Sequence, residues 1–203
     1  MRVDPTERPV RTVTELEKAG AAALTLEDTH LPARFDEPAS GLINRQEAAS
    51  KIYAARFARS DDALSIIART HAGETSLEDC IGRTAAYQEA GADAICLVGV
   101  KDFDHLRALT AHLEVPIMLI NYCNPALSDI ERLSAANVRV VVNGHAPYLS
   151  ALQATYGALC EQSGNARGEL ALAELLARYT RSDSYREWAN LYLKAENGLH
   201  RAP

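Results

Sequence analysis

The chain has 203 residues, of which 47% are hydrophobic and 24% are charged, and its formal net charge is -6 at pH 7. This composition is typical of one globular domain with a sizeable core, and the acidic balance argues against nucleic acid or an anionic membrane surface as a partner. Four scattered cysteines without a Cys-x-x-Cys pair, and apolar runs too short to span a membrane, predict a cytoplasmic protein with free thiols.

Helices and strands alternate along the chain. An irregular lead-in over residues 1–9 precedes a helix predicted over 10–19, which ends at Gly20. Strands are then predicted over residues 23–26, 64–68, 94–98, 117–120 and 138–143. The helices that follow them are predicted over residues 45–58, 76–90, 102–113, 128–136 and 147–162, with two further helices over 169–179 and 184–195. The long connection over residues 29–42 is typical of a lid or a binding segment.

This order predicts an α/β fold with five parallel strands and a C-terminal helical tail. A (β/α)₈ barrel is favoured over a doubly wound sheet because polar residues follow several strands and no Gly-rich nucleotide loop follows any of them. A closed barrel needs eight strands, so the prediction is a partial barrel. We assign residues 1–163 to the partial barrel domain and residues 164–203 to a helical extension of it.

Polar residues follow the apolar body of four predicted strands. These segments are Glu27-Asp28, Arg69-Thr70-His71, Asn121-Tyr122 and Asn143-Gly144-His145. Because the carboxyl ends of parallel strands meet at one edge of a sheet, we expect a site there, and an Arg at such an edge suits a carboxylate ligand. Simpler interpretations stay open: an ion pair of Arg69 with Glu27 or Asp28, a helix-capping or packed His145, and a packed Tyr122 ring.

Four segments together resemble the isocitrate lyase/phosphoenolpyruvate mutase superfamily, and within it the bacterial oxaloacetate decarboxylase branch. They are residues Ala22–Thr29, Ile66–Ala72, Tyr87–Asp93 and Val142–Ala146. Lyases of the superfamily generally have Arg-Thr-Asp where this chain has Arg69-Thr70-His71, and a catalytic Cys in the loop where residues 31–35 contain none. These two differences disfavour cleavage of isocitrate or methylisocitrate.

The resemblance implies decarboxylation of oxaloacetate, a small keto acid, to pyruvate and CO₂ with Mg²⁺, or Mn²⁺ as an alternative ion. Arg69 would bind the substrate carboxylate and stabilise the enolate, His145 and Tyr122 would be catalytic groups that orient the substrate, and Asn143 would bind it. Glu27 would hold the metal through water. The resemblance also implies a homo-oligomer, a dimer of dimers, with no nucleic-acid or membrane partner.

The resembled barrel begins about three strands before this sequence does, and its direct Asp metal ligand would precede Met1. We therefore expect the chain to correspond to the C-terminal part of such an enzyme. By itself it is expected to associate or aggregate through open sheet edges and to decarboxylate oxaloacetate no faster than free Mg²⁺ does. The alternatives are another superfamily lyase or mutase acting on an α-keto acid, and a non-catalytic protein that acts only in assembly.

Overall fold

A computed structural model describes residues 7–30, 41–164 and 170–193. The described residues form a five-stranded parallel sheet whose strands lie in sequence order, β1-β2-β3-β4-β5. The strands are β1 (Ala23–Glu27), β2 (Ser65–His71), β3 (Ala94–Val98), β4 (Ile117–Ile120) and β5 (Val138–Val142). Sequential order with helical crossovers is the strand arrangement of a (β/α) barrel, which confirms the predicted fold class.

Helices connect successive strands, and further helices follow the last strand. They are α1 (Glu7–Lys18), α2 (Arg45–Ala58), α3 (Leu77–Glu89), α4 (Phe103–Thr110), α5 (Ile130–Ala135), α6 (Ala146–Gln162), α7 (Leu172–Tyr179) and α8 (Ser182–Tyr192). No helix among the described residues is long and apolar enough to cross a membrane.

The described chain divides into two compact units. The first unit contains residues 7–30 and 41–144, and with them the whole sheet. The second contains residues 145–164 and 170–193, which form α6, α7 and α8. The domain boundary predicted between residues 163 and 164 stays a prediction.

Strand β2 is longer than the sequence indicates. The apolar run predicts an end near Ala68, but β2 continues through Arg69, Thr70 and His71. Thr70 is buried, and its hydroxyl donates a 2.8 Å hydrogen bond to the carboxylate of Asp28. This bond satisfies the polar group inside the sheet, so the strand does not end where its polar residues begin.

One predicted helix cap is wrong. Asp129, and not Ser128, caps α5, with its carboxylate accepting a 3.0 Å hydrogen bond from the main-chain N–H of Arg132. The Ser128 hydroxyl instead donates to the carbonyl of Pro125 and closes a short 3₁₀ turn. Three other predicted helix ends are confirmed: Asn44 and Ser76 cap α2 and α3, and Asn137 follows α5 at φ 60°. Helix α1 begins three residues earlier than predicted, and α4 ends three residues earlier. Most of the predicted long loop, residues 31–40, lies outside the described residues.

Residues of β2 alternate between two environments. Ile66, Ala68 and Thr70 are buried, whereas Arg69 and His71 are only partly buried. Successive side chains of a strand point to opposite faces, so the first three lie on the face covered by helices and the last two share the other face. We call the face that carries Arg69 and His71 the site face.

A carboxylate is buried on the helix-covered face, where it joins two strand ends to α3. Asp28, directly after β1, is 2% exposed. Its Oδ2 atom accepts hydrogen bonds from the hydroxyls of Thr70 (2.8 Å) and Tyr87 (2.6 Å) and pairs with Arg83 Nη1 at 3.3 Å. Burial and the neighbouring carboxylate raise the pKa of Tyr87, so the phenol stays protonated as a donor. A buried charge is tolerated when it is paired and hydrogen-bonded in this way.

Replacing Tyr87 with Phe is expected to lower the free energy of unfolding by about 1–3 kcal/mol, because it removes one donor from a buried carboxylate. Urea denaturation followed by circular dichroism measures the change. Tyr53→Phe is the matched control, since Tyr53 is 65% exposed on α2. Equal stabilities of the two variants would contradict a structural role for the Tyr87 hydroxyl.

Candidate active site

Glu27 and Arg69 lie side by side at the carboxyl ends of β1 and β2. They are register partners, and Arg69 Nη1 lies 3.3 Å from Glu27 Oε2, with the two side chains 30% and 31% exposed. Lys51 of α2 donates a 2.8 Å hydrogen bond to the main-chain carbonyl of Glu27 and fixes the end of β1. No second partner of the guanidinium is found among the described residues, so the rest of its donor fork is open to a carboxylate.

The ion pair that the sequence left open for Arg69 is therefore present, with Glu27 and not with Asp28. Asp28 faces the opposite side of the sheet, and its main-chain N–H donates to the carbonyl of Arg69 at 3.2 Å. A partly exposed ion pair of this kind contributes little to stability. It does hold the guanidinium at the edge of the sheet, where the sequence predicted a carboxylate-binding group.

His71 is a site-face residue to which the sequence assigned no role. Its Nδ1 atom accepts a 3.2 Å hydrogen bond from the main-chain N–H of Gly73. A Cβ on Gly99, which has φ +73°, would lie 2.5 Å from His71 Cε1, so only glycine leaves room for the ring there. The imidazole is held against these two glycines.

The rest of the site face is apolar. Paired residues of parallel strands point to the same face, so the row that begins with Glu27 and Arg69 continues through Cys96, Met118 and Val140. The next row runs from His71 through Val98, Ile120 and Val142. The site face thus has a polar corner on β1 and β2 and an apolar wall on β3, β4 and β5.

Cys96 lies beside Arg69 in this row but is not suited to nucleophilic chemistry. It is fully buried, and burial raises the pKa of its thiol to about 11 although the Arg69 guanidinium acts in the opposite direction. The thiolate is the reactive form of cysteine, so Cys96 serves as an apolar wall residue at neutral pH.

Tyr122 is the second residue after β4, and Asn143 is the first residue after β5. Tyr122 is 54% exposed. Its φ is 48°, and that of Cys123 is 59°, so both residues lie in the left-handed region. The Tyr122 ring packs against Gly144, the residue after Asn143. A Cβ atom on Gly144 would lie only 2.5 Å from Cδ1 of this ring. Two consecutive non-glycine residues in the left-handed region are strained, and such strain is often found at functional sites.

His145 belongs to the second unit, where it occupies the N-cap position of α6. Its side chain is exposed and makes no capping hydrogen bond, so it does not act as a helix-capping side chain. Among the predicted site residues, the structure brings Glu27 and Arg69 together and places Tyr122 and Asn143 after the neighbouring strands β4 and β5.

No cluster of three or more His, Cys, Asp or Glu side chains that could hold a metal ion occurs in the described ranges. Glu27 presents a carboxylate on the site face, whereas the carboxylate of Asp28 is turned to the buried face. Mg²⁺ keeps several of its waters in protein sites and is bound through few carboxylates. Glu27 therefore fits an indirect metal contact through water, and the described residues do not by themselves complete a metal site.

A family model described as phosphoenolpyruvate phosphomutase matches residues 3–162. The chain belongs to this family. The resemblance to the isocitrate lyase/phosphoenolpyruvate mutase superfamily is thereby confirmed.

Oxaloacetate decarboxylases are similar to the chain. Oxaloacetate decarboxylase 2 of Pseudomonas fluorescens (strain Pf0-1) is 75% identical over 188 residues, which cover 93% of this chain and 65% of the relative. The enzyme of the same name from Pseudomonas putida (strain W619) is 70% identical, and the match covers 91% of this chain and 61% of the relative. Oxaloacetate decarboxylase of Chromohalobacter salexigens is 54% identical, and the match covers 91% of this chain and 64% of the relative. The chain thus spans less than two thirds of the length of these relatives.

Solved structures of the superfamily share the fold. Phosphonopyruvate hydrolase in complex with oxalate and Mg²⁺ superposes with a TM-score of 0.66 at 26% identity, covering 93% of this chain and 69% of the hydrolase. Oxaloacetate acetylhydrolase with the inhibitor 3,3-difluorooxalacetate gives a TM-score of 0.65 at 23% identity, covering 91% and 63%. The second likeness bears on the fold alone.

Cysteine alkylation tests the burial of the apolar wall. At pH 8 we expect iodoacetamide to modify the exposed Cys123 and to spare Cys96, whose thiolate fraction at a pKa of about 11 is roughly one in a thousand. Labelling of Cys96 should rise with pH up to about 11, as the thiol ionises. Peptide mass spectrometry of the native and the urea-unfolded protein gives the two rates. Equal alkylation rates of Cys96 and Cys123 in the native protein would contradict the burial of Cys96 in the apolar wall.

Proposed function

We propose that this protein is a carboxy-lyase that decarboxylates oxaloacetate to pyruvate and CO₂. The observation that carries the proposal is the Arg69 guanidinium, which pairs with Glu27 on the site face and has an open donor fork, in a chain 75% identical to an oxaloacetate decarboxylase. Because the chain spans 65% of that relative, the activity is assigned to the protein as a hypothesis.

In the proposed reaction the bond between C3 and C4 of oxaloacetate breaks, and CO₂ leaves from C4. The electron pair passes to the keto oxygen and gives an enolate, which is then protonated at C3 to pyruvate. Arg69 binds the carboxylate next to the keto group and directs N–H donors to the developing enolate oxygen. Donors that are already in place stabilise such charge without rearrangement during the reaction.

A divalent ion is part of the proposal. When bound, Mg²⁺, or Mn²⁺ in its place, polarises the keto group and acts as an electron sink for the enolate. The Glu27 carboxylate would hold the ion through water, and Lys51 keeps Glu27 in place through its main chain. Glu27 also neutralises part of the Arg69 charge before the ligand binds.

Residues after β4 and β5 complete the proposed site. Tyr122, half-exposed and in contact with Gly144, delivers the proton to the enolate carbon directly or through a water. The Asn143 amide binds and orients the substrate, and the substrate-orienting role of the His145 imidazole stays a prediction. We also infer a homo-oligomer, the dimer of dimers implied by the family resemblance.

A second candidate is cleavage of a related α-keto acid, since phosphonopyruvate hydrolase shares the fold at 26% identity. A chimera separates the two candidates: this chain replaces the matching part of the P. fluorescens decarboxylase, and turnover of oxaloacetate, methylisocitrate and phosphonopyruvate is compared. We expect oxaloacetate to give the highest kcat/KM. Preference for either other substrate would refute the decarboxylase assignment.

The 203-residue chain by itself is assayed beside the chimera. We expect it to decarboxylate oxaloacetate no faster than free Mg²⁺ does and to elute as an oligomer or aggregate in size-exclusion chromatography. A monomer with metal-dependent turnover that depends on Arg69 would contradict this expectation. An inactive chimera would instead favour the non-catalytic role in assembly.

Arg69→Ala in the chimera is expected to lower kcat/KM by at least roughly 100- to 1000-fold, through loss of preorganised charge stabilisation. Arg69→Lys should recover only part of the loss, because an ammonium group lacks the planar donor fork. Arg107→Ala is the control, since Arg107 is 71% exposed on α4 and pairs with Asp104 of the same helix. A loss of less than tenfold for Arg69→Ala would contradict the assigned role.

A further inference from the structure

His71 is a polar residue at the carboxyl end of the site face, and the proposed mechanism leaves it without a role. It lies two residues after Arg69 on β2 and on the same face. In its row the paired residues Val98, Ile120 and Val142 are all apolar. An isolated polar side chain among apolar neighbours at a ligand-binding edge is a candidate specificity group.

The contact of the ring with Gly73 indicates which nitrogen is the donor. Nδ1 accepts the N–H of Gly73, so it carries no proton, and the proton of the neutral imidazole is on Nε2. No partner of Nε2–H is found in the parts of the chain that the structure describes. His71 therefore offers one N–H donor that is free to bind a ligand.

The two polar side chains of β2 diverge. Arg69 is drawn toward β1 by Glu27, whereas the His71 ring lies against Gly99, just after β3. Their Cα atoms are separated by about 6.6 Å along the strand, at about 3.3 Å per residue. Because the two side chains diverge from there, a four-carbon diacid with a carboxylate at each end is better matched to both groups than a two-carbon diacid.

We propose that His71 determines specificity for a four-carbon diacid by donating its Nε2–H to the carboxylate remote from Arg69. This inference rests on the proposed function, because it assigns the second carboxylate of the same keto-acid substrate. The glycines at positions 73 and 99 hold the ring in place, so the donor is positioned before the ligand binds.

The test compares two ligands of different length in the chimera with Mg²⁺ present. Isothermal titration calorimetry measures the affinity of oxalate, with two carbons, and of 3,3-difluorooxaloacetate, with four. His71→Phe keeps a ring against the glycines and removes the donor. We expect it to weaken the four-carbon ligand about tenfold, the effect of one hydrogen bond to a charged group, and to change oxalate affinity less than about twofold.

Two further variants separate ligand contact from a general structural effect. His71→Gln keeps a donor and should recover part of the lost affinity for the four-carbon ligand. His105→Phe is the matched control, because His105 Nδ1 also accepts a main-chain N–H, from Lys101 at 3.2 Å, but on α4. It should leave both affinities unchanged.

Equal weakening of both ligands by His71→Phe would overturn the inference, as would unchanged affinity for the four-carbon ligand. If the chimera turns over oxaloacetate but His71→Phe does not change its selectivity for ligand length, the role of His71 is refuted and the proposed decarboxylation is retained. Length selectivity that depends on His71, without oxaloacetate turnover, would refute the proposed decarboxylation and retain the diacid subsite.

Discussion

The geometry of the site depends on the hydrogen bonds and the ion pair of the buried Asp28 carboxylate. One oxygen accepts hydrogen bonds from Thr70 of β2 and Tyr87 of α3, and Arg83 pairs with it while donating to the main chain at Ile43. A single buried charge thus joins the ends of two strands, a helix and the segment before α2. Removal of any one donor would leave part of the charge unpaired, so the four groups are constrained together.

Strand alternation separates this structural cluster from the chemistry. Glu27 and Asp28 are consecutive, as are Arg69 and Thr70, so each pair supplies one side chain to each face of the sheet. On the buried face Asp28 and Thr70 fix the register of the strand ends. On the site face the same register sets Glu27 beside Arg69. The position of the guanidinium is therefore determined by bonds made on the opposite side of the sheet.

The sequence predicted the parallel sheet and the strand order of a barrel, because these follow from local periodicity and strand alternation. It left an ion pair of Arg69 with Glu27 or Asp28 open, and the two-residue period could have chosen between the two, since only Glu27 shares the face of Arg69. The cap at Asp129 and the ring contact of His71 with Gly99 could not be predicted. Both depend on how distant or competing groups pack in three dimensions.

The asymmetry of the site face suits the proposed chemistry. Decarboxylation gathers negative charge at the keto end of the ligand and converts the other end from a carboxylate into neutral CO₂. A cation at the leaving end would stabilise the ground state more than the transition state and slow the reaction. His71 Nδ1 accepts the N–H of Gly73, which leaves Nε2–H as the donor, and the neighbours Val98, Ile120 and Val142 are apolar. The row of His71 therefore offers a hydrogen-bond donor without a Lys or Arg among its paired residues. Arg69 and Glu27 concentrate the charged interactions at the opposite end, where the enolate forms.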